Sequence, residues 1–512
     1  MDLSCWIDRH ADFSPEKTAI HFQGCDISYA ALAEHIAHLS AVLTVKLDVG
    51  RGDRVAFLGQ NSPEAVALLF ACARIGAIFA PLNWRLAPPE HQRMLNDCTP
   101  QALFVEPEFT EQVDGIRADL SVAHYISMGA ASEFWQGFGE VLASTSVRTS
   151  AGNASYEDAV LICYTSGATG VPKGVVLSQN AILFNAINSA HCHDLTSADK
   201  VLTTIPLFHV GGLNIQSTPA LHLGATVILQ RSFDPAATFD DFVRHGVTLT
   251  VLVPAQLQAM ISHANWAEAD LSGLRAVTTG STFVPDRFVQ AFHARGVPVL
   301  QVYGATETAP ITVYTNRQDA VARVGAAGKP ALHCEIRIVD EDGRDITDGR
   351  SGEILIRGPN VMLEYWHQPE TTAKAVRDGW YHSGDMGHVD AEGFCYVDDR
   401  KKDMIISGGE NIYPAELENI LADCEYVAEA AVVGRDDKTW GEVAVAVVVS
   451  RAENTLVADD VLKLFEGALA RYKHPKDVVF TDSLPRNAMG KVLKDELRAM
   501  VGQLGIGQRV GN

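Results

Sequence analysis

"YTSGATGVPKG", residues 164–174, is a loop of glycines and hydroxyls with one lysine, and its flanks decide the architecture. "DAVLIC" (158–163) runs into it as a buried strand, and "GVVLSQN" (174–180) leaves it as a strand that ends in a turn. Glycines let backbone N–H groups crowd around phosphate oxygens, and Thr165, Ser166, Thr169 and Lys173 add side-chain donors. A solvent turn is the plain alternative for this composition. A long glycine loop held between two buried strands is more often a working loop. Its spacing excludes a P-loop, in which lysine follows glycine and a hydroxyl follows lysine. Here Lys173 follows Pro172 and precedes Gly174. The expectation is a phosphate-binding loop outside the Walker class.

Outward from the loop, short apolar strands alternate with helical segments from about residue 30 to 340: "RVAFLG" (54–59), "ALFVEP" (102–107), "KVLTTIP" (200–206), "ATVILQ" (225–230), "LTVLVP" (249–254), "LRAVTTG" (274–280) and "PVLQVYG" (298–304). Continuous apolar strands, each followed by a helix, predict α/β layers with helices on the sheet faces. Ligands in such folds sit at strand ends, where "TTG" and "YGATET" fall. From Gly352 the pattern changes to short strands and tight turns, with Glu392-Gly393 joining a hairpin. After Arg400 follows a compact α+β region with a helix opened by Pro414 and a last helix apolar at 493, 497, 500, 501 and 504. The fold class expected is α/β: a large N-terminal layered α/β domain with a small β-rich end (1–399), plus a small mobile C-terminal α+β domain (400–512).

Length supports this division, since 512 residues exceed what one core usually holds. With 47% hydrophobic and 20% charged residues the chain reads as a globular enzyme. The net charge of −22 argues against nucleic acid or an anionic membrane as the main partner. The nine cysteines are scattered without a C-x-x-C, which suits a reducing compartment and supports neither disulfides nor zinc. "HCH" (191–193) has no second ligand pair at metal spacing, so solvated loop histidines are expected. The apolar stretch 65–82 reads as a buried helix, with Ser62 as N-cap, Pro63 at the first position and an end near Gly76, followed by a strand. No transmembrane segment and no targeting signal are expected, so the cytoplasm is the default location. Nothing in the pattern excludes a homo-oligomer.

Further motifs follow in order: "PLFHVGG" (206–212), "YGATET" (303–308), "YHSGD" (381–385), "DRKKDMIISGGENIYPAELE" (399–418) and "PRNAMGKVLK" (485–494). With the opening loop they span most of the chain. In this order and spacing the sequence resembles the adenylate-forming superfamily, which holds acyl-CoA synthetases, luciferases and peptide-synthetase adenylation domains. The resemblance implies an enzyme that joins a carboxylate to the α-phosphate of ATP, releases pyrophosphate, and passes the acyl group to the thiol of coenzyme A. It implies ATP, Mg2+ and coenzyme A as cosubstrates.

Carried over residue by residue, Thr165, Ser166, Gly167, Thr169 and Lys173 hold the β- and γ-phosphates. Gly280, Ser281, Tyr303 and Gly304 flank adenine. Thr306 contacts the α-phosphate, and Glu307 helps hold Mg2+, as a carboxylate with phosphate oxygens commonly does. Thr306 fits a helix N-cap as well. Asp385 and Arg400 bind ribose, although a salt-bridged hairpin is their plain reading. Lys491 is the catalytic cation, stabilising charge between carboxylate and α-phosphate; without the resemblance it is a surface lysine. Lys402 is the pivot about which the small domain turns for the second half-reaction, bringing Gly408 and Gly409 to a pantetheine channel. Trp440 and Lys473, in or near "RYKHPK" (471–476), suit the nucleotide end of coenzyme A, or are ordinary surface residues.

For the acyl group, His209 resembles the residue at the tunnel mouth, with a buried core histidine as the alternative. Val210, Gly211, Gly212, Leu213, Ala305 and Ala309 give an apolar, roomy wall. No cation occurs in "PLFHVGGLN", "TTGSTF" or "YGATETAP", which disfavours dicarboxylates. The "DRKKDMIISGGENIYP" motif looks most like fatty acyl-CoA and aryl-CoA ligases. A medium- or long-chain fatty acid is the favoured substrate, with an aromatic benzoate- or hydroxycinnamate-type acid as the alternative. Two other classes stand beside these: an adenylating enzyme that loads a carrier-protein thiol, and a non-catalytic ATP-binding protein.

Overall fold

Ser62 opens the helix Pro63–Ile75: its hydroxyl accepts the Ala65 N–H at 3.2 Å, and Gly76 closes the helix at φ +74°. A cap of this kind is worth about 1 kcal/mol, and the left-handed C-cap favours glycine. The helix is apolar on all sides because it is buried on all sides, as the sequence predicts. These positions belong to a computed structural model. It describes residues 1–145, 154–165, 172–280, 284–407, 410–437, 440–451, 456–466, 468–469, 471–487 and 490–503. The expected ligand residues Ser166, Gly167, Thr169, Ser281, Gly408 and Gly409 lie outside the described residues.

Two large sheets carry the N-terminal part. In the nine-stranded sheet, Val299–Tyr303, Ala276–Gly280, Leu249–Val251, Lys200–Thr203, Thr226–Leu229 and Thr18–Phe22 run parallel in that spatial order. In the eight-stranded sheet, Ile78–Leu82 and Arg54–Leu58 lie at the centre, and Ala159–Thr165 pairs antiparallel with Lys173–Ser178. Every strand expected from the apolar runs is present. One core joins the sheets: Val55, Phe57, Phe79 and Leu161 share a cluster with Val201, Leu249, Ala276 and Leu300, and with helix Pro63–Ile75. The alternate strand residues Leu202, Val277 and Val299 form a second core with Phe239, Phe288 and Phe292. The strands are therefore covered on both faces, which explains their unbroken apolar runs.

A third, antiparallel sheet holds Glu335–Val339, Gly352–Arg357, Trp380–Val389 and Cys395–Arg400. Gly393, at φ +84°, makes its expected tight turn. The next strands, Ile405–Ser407 and Glu410–Ile412, pair with each other in a fourth sheet with Val427–Asp437, Gly441–Ser450 and Asp477–Phe480. Sheet membership thus changes between Arg400 and Ile405. The fourth sheet has its own cores, one built on Leu417, Leu421, Val432 and Phe465 and one on Val445, Val479, Leu497 and Val501.

The structure corrects one sequence expectation here. "HCH" is not a solvated loop; it ends the helix Gln179–His193, with His191 exposed and His193 fully buried. The tripeptide follows "NAINSA", a buried helical face made with small and polar residues instead of aliphatic ones. Hydrophobic periodicity is blind to such a face.

Candidate active site

The C-terminal ends of two neighbouring parallel strands open the site. Ala276–Gly280 finishes at Gly280, where a Cβ would stand 2.5 Å from the Val302 carbonyl oxygen, so glycine alone permits this approach. Val299–Tyr303 finishes at Tyr303, whose hydroxyl donates to Asp385 Oδ2 at 2.9 Å. Asp385 and Arg400 face one another across the antiparallel hairpin, and Arg400 Nε donates to Asp385 Oδ1 at 2.6 Å. The residues expected around adenosine thus converge from three separate regions of sequence. Burial raises the Asp385 pKa, while Arg400, Tyr303 and Lys491 work in the opposite direction. Burial and then the Asp385 charge push the Tyr303 hydroxyl well above its ordinary value, so it remains a donor.

After Tyr303 the chain folds back so closely that a Cβ on Gly304 would collide with the Pro310 carbonyl oxygen. Ala305 caps the short turn Thr306–Thr308, its N–H taken by Thr308 Oγ1 at 2.9 Å. Thr306 is therefore not the cap, which removes the alternative account of that residue. Glu307 accepts the Tyr365 hydroxyl through Oε1 at 2.8 Å. Lys173 Nζ lies 5.1 Å from the centre of the Tyr365 ring, within reach of a cation–π contact. Thr165 and Lys173 are paired across the two strands that carry the opening loop. Strand pairing of Tyr365 with Val175 brings the loop lysine and Glu307 to the same place.

Lys491 reaches this cluster on a tight turn of the small domain. Arg486 and Val492 form an antiparallel bridge, Asn487 Oδ1 accepts the Lys491 N–H at 2.9 Å, and Gly490 holds φ +78°. Surrounding protein and then the Arg400 guanidinium lower the Lys491 pKa, opposed by Asp385 and Asp403. The side chain keeps surface open to water, which screens part of this effect. Lys491 also contributes to the field at Asp385, so the turn stands near Asp385 and Arg400.

On the acyl side, His209 caps the turn Val210–Gly212: its Nδ1 accepts the Gly211 N–H at 3.0 Å. Burial draws its pKa down to about 4, so the ring is neutral and Nε2 carries the proton. Val210, Leu213 and Ala309 belong to the main core, and Ala305 packs against it. Ala309 holds φ +67°, a left-handed conformation uncommon for a residue with a Cβ. Gly212 does not supply room: a Cβ there would stand 2.3 Å from the Pro206 carbonyl oxygen. Its role is to let the turn touch the preceding loop.

At the other end of the small domain the expected pair separates. Lys473 is held by Glu416, with Nζ 2.9 and 2.7 Å from its two oxygens. Lys476 instead stands 5.9 Å from the centre of the half-exposed Trp440 ring. Lys402 bonds Asp495 at 3.1 Å, while its neighbour Lys401 bonds Glu353 of the third sheet at 3.3 Å. Tyr365 and Glu353 were not singled out from sequence, because neither stands at a motif spacing and each is placed by pairing between distant strands; Lys476 lies in the "RYKHPK" stretch, three residues after the lysine expected to act there.

Residues 7–366 match the family of AMP-binding enzymes, and residues 416–491 match the AMP-binding enzyme C-terminal domain. The chain belongs to the AMP-binding enzymes. It is 53% identical over 508 residues to the indoleacetate–CoA ligase of Aromatoleum aromaticum, covering 98% of each chain. It is 40% identical over 500 residues to the feruloyl-CoA synthase of an Amycolatopsis species, covering 98% and 99%, and 34% identical over 501 residues to a long-chain-fatty-acid–CoA ligase of Mycobacterium tuberculosis, covering 97% and 98%. Its fold is similar to that of the o-succinylbenzoate CoA synthetase of Bacillus subtilis in complex with an acyl-adenylate, at a TM-score of 0.86, 31% identity and coverage of 98% and 99%.

This AMP-binding enzyme is an AMP-forming acid–CoA ligase that uses ATP, Mg2+ and coenzyme A. The donor set fits such a metal. No group of three or more His, Cys, Asp or Glu side chains that could hold a metal occurs among the described residues. Glu307 has one oxygen bonded to Tyr365 and the other without a hydrogen-bond partner among those residues. One carboxylate completed by substrate phosphates is how Mg2+ is commonly held. No helix among the described residues is long and apolar enough to cross a membrane.

Proposed function

We propose that the acid is aromatic, with an arylacetate of the indoleacetate type as the first candidate. The carrying observation is the descending likeness: 53% to an indoleacetate ligase, 40% to a feruloyl synthase and 34% to a fatty-acid ligase. That order favours the aromatic alternative over the fatty acid first expected from the motifs. The core-lined wall of Val210, Leu213 and Ala309 suits a compact ring.

In this reading the first half-reaction joins the acid to the α-phosphate. Lys173 and the loop after Thr165 hold the departing pyrophosphate. Gly280, Tyr303 and Gly304 flank the base, Asp385 and Arg400 take the ribose hydroxyls, and Thr306 contacts the α-phosphate. Glu307 holds Mg2+, which neutralises phosphate charge. Lys491 places its ammonium between carboxylate and phosphate, where charge develops. His209, neutral and capped against its own turn, borders the acid. For the second half-reaction the small domain, 400–512, turns about Lys402 away from the large domain, 1–399. Gly408 and Gly409 then border the pantetheine arm, and Trp440 with Lys476 meets the nucleotide end of coenzyme A.

The test is turnover of purified protein with ATP, Mg2+ and coenzyme A against indole-3-acetate, ferulate, benzoate and palmitate. AMP formed together with an aryl-CoA, at a higher kcat/KM than with palmitate, is expected. A preference for palmitate overturns the substrate reading, and AMP without any CoA ester overturns the acceptor.

A further inference from the structure

Beside the acyl wall lies a buried polar chain that the ATP chemistry does not use. His193 Nδ1 is 2.8 Å from the Ser189 carbonyl oxygen, and its Nε2 is 2.9 Å from Thr278 Oγ1. A carbonyl can only accept, so Nδ1 carries the proton. Burial lowers the His193 pKa to about 4, and the neutral ring presents a lone pair at Nε2. The Thr278 hydroxyl must donate to that lone pair. Its oxygen is then left to accept, and it accepts Gln216 Nε2 at 3.2 Å. This sequence of donors fixes which way the Gln216 amide faces. Its oxygen, Oε1, is buried and has no hydrogen-bond partner among the described residues.

The position of that oxygen suits a ligand. Gln216 is 1% exposed and lies in the π-turn Leu213–Ser217, a widened turn found mostly at functional sites. Gln216 borders a cavity of about 10 Å3 together with Thr203, Gly211, Gly212, Ser217 and Val251. That volume takes one water-sized group, not a ring. Thr278 shares its strand face with Gly280, two residues further on, so the amide lies about 7 Å deeper than the strand end. If the carboxylate of the substrate acid is held at the strand end, the far edge of a bicyclic ring extends toward this depth. An acceptor left unpaired in the protein interior costs free energy that a matching donor recovers.

We propose that Gln216 is a specificity residue whose Oε1 accepts a hydrogen bond from an N–H on the ring of the substrate acid, as an indole provides. The assignment rests on the aromatic-acid reading above. An isosteric ring carrying oxygen in place of N–H sets a lone pair against Oε1 and is rejected, as sites built to hydrogen-bond a substrate group reject analogues lacking it.

Adenylation is measured as pyrophosphate release with indole-3-acetate and with benzofuran-3-acetate, which differ in that one ring atom. The wild-type enzyme is expected to prefer the indole by about 10- to 100-fold in kcat/KM. Gln216→Met is expected to bring the two acids within about threefold by lowering the indole value alone. Unchanged turnover of the benzofuran acid shows that the variant is folded. If it does not fold, Thr278→Val, which frees the amide to turn over, narrows the same preference. Equal wild-type kcat/KM for the two acids, or a preference that survives Gln216→Met, overturns the Gln216 assignment and leaves the aromatic reading standing. Turnover of palmitate with neither aromatic acid used overturns both.

Discussion

In the proposed mechanism Lys491 concentrates the chemistry of the first half-reaction in one side chain. There it must be an ammonium to draw carboxylate and α-phosphate together, and its pKa is lowered by the surrounding protein and by Arg400, an effect that its exposure to water reduces. The ammonium exists below that pKa, so adenylation is present at lower pH and is lost as pH rises through it. The alkaline limb of kcat/KM for pyrophosphate release is therefore expected below the ordinary lysine value of about 10.4. Lys491→Arg, if active, carries the limb upward, because a guanidinium stays charged beyond about pH 12. Lys491→Ala is expected to slow adenylation by about 100- to 1,000-fold and to spare thioester formation from supplied acyl-adenylate. Equal losses in both half-reactions, or an alkaline limb unmoved in the arginine variant, contradict the assignment. This residue was legible only through the motif around it: "PRNAMGK" offers no charge pattern or periodicity that separates Lys491 from a surface lysine. The same holds for Asp385 and Arg400, whose hairpin spacing is equally that of a structural ion pair. His193 and Gln216 were illegible altogether, since their meaning lies in a proton chain between a helix, a π-turn and a strand.

Paired elements explain what the linear pattern could and could not carry. The parallel strands were legible because burial on both faces leaves an unbroken apolar run, and the Pro63–Ile75 helix because its cap residues are chemically specific. The short strand Glu364–Tyr365 was not legible: two residues cannot show a period, and its partner Lys173–Ser178 lies far away in sequence. Yet that pairing sets Tyr365 between Lys173 and Glu307, with its hydroxyl on Glu307 at 2.8 Å. Tyr365 thus positions a carboxylate without touching the reacting atoms. Tyr365→Phe keeps the ring under Lys173 and removes the donor. Loss of one hydrogen bond to a charged group is worth about 1.5–3 kcal/mol at most, so a fall of about tenfold in kcat/KM for ATP is expected. Excess Mg2+ is expected to recover part of that loss, because in the proposed site Glu307 is the carboxylate that would hold the metal. A fall that Mg2+ concentration does not change, accompanied by a lower melting temperature, points to a packing defect instead.

Contacts across the whole molecule show how the present arrangement of the two parts is held. Lys401 is tied to Glu353 of the third sheet and Lys402 to Asp495 of the last helix, so neighbouring residues anchor opposite sides of the proposed pivot. Farther out, Arg287, on the large-domain helix Asp286–Ala294, donates to the Ala422 carbonyl. Ala422 ends the small-domain helix Pro414–Ala422, where unpaired carbonyls and the helix dipole favour a cation. Asp423 adds a favourable charge and Arg451 an opposing one. Arg287 therefore stabilises the present arrangement of the two domains, in which Lys491 stands near Asp385 and Arg400. If the small domain turns about Lys402 between half-reactions, Arg287→Ala weakens one pose and leaves the other untouched. A charge-assisted hydrogen bond worth about 1.5 kcal/mol shifts the balance between poses roughly tenfold. The ratio of the two half-reaction rates, measured separately, is expected to move by about that factor toward thioester formation, whichever pose dominates at rest. The binding constant for ATP analogues in the large domain should not change with it. An equal change in both half-reactions means that Arg287 supports the fold and not the pose, and an unchanged ratio means that the contact does not gate the rotation.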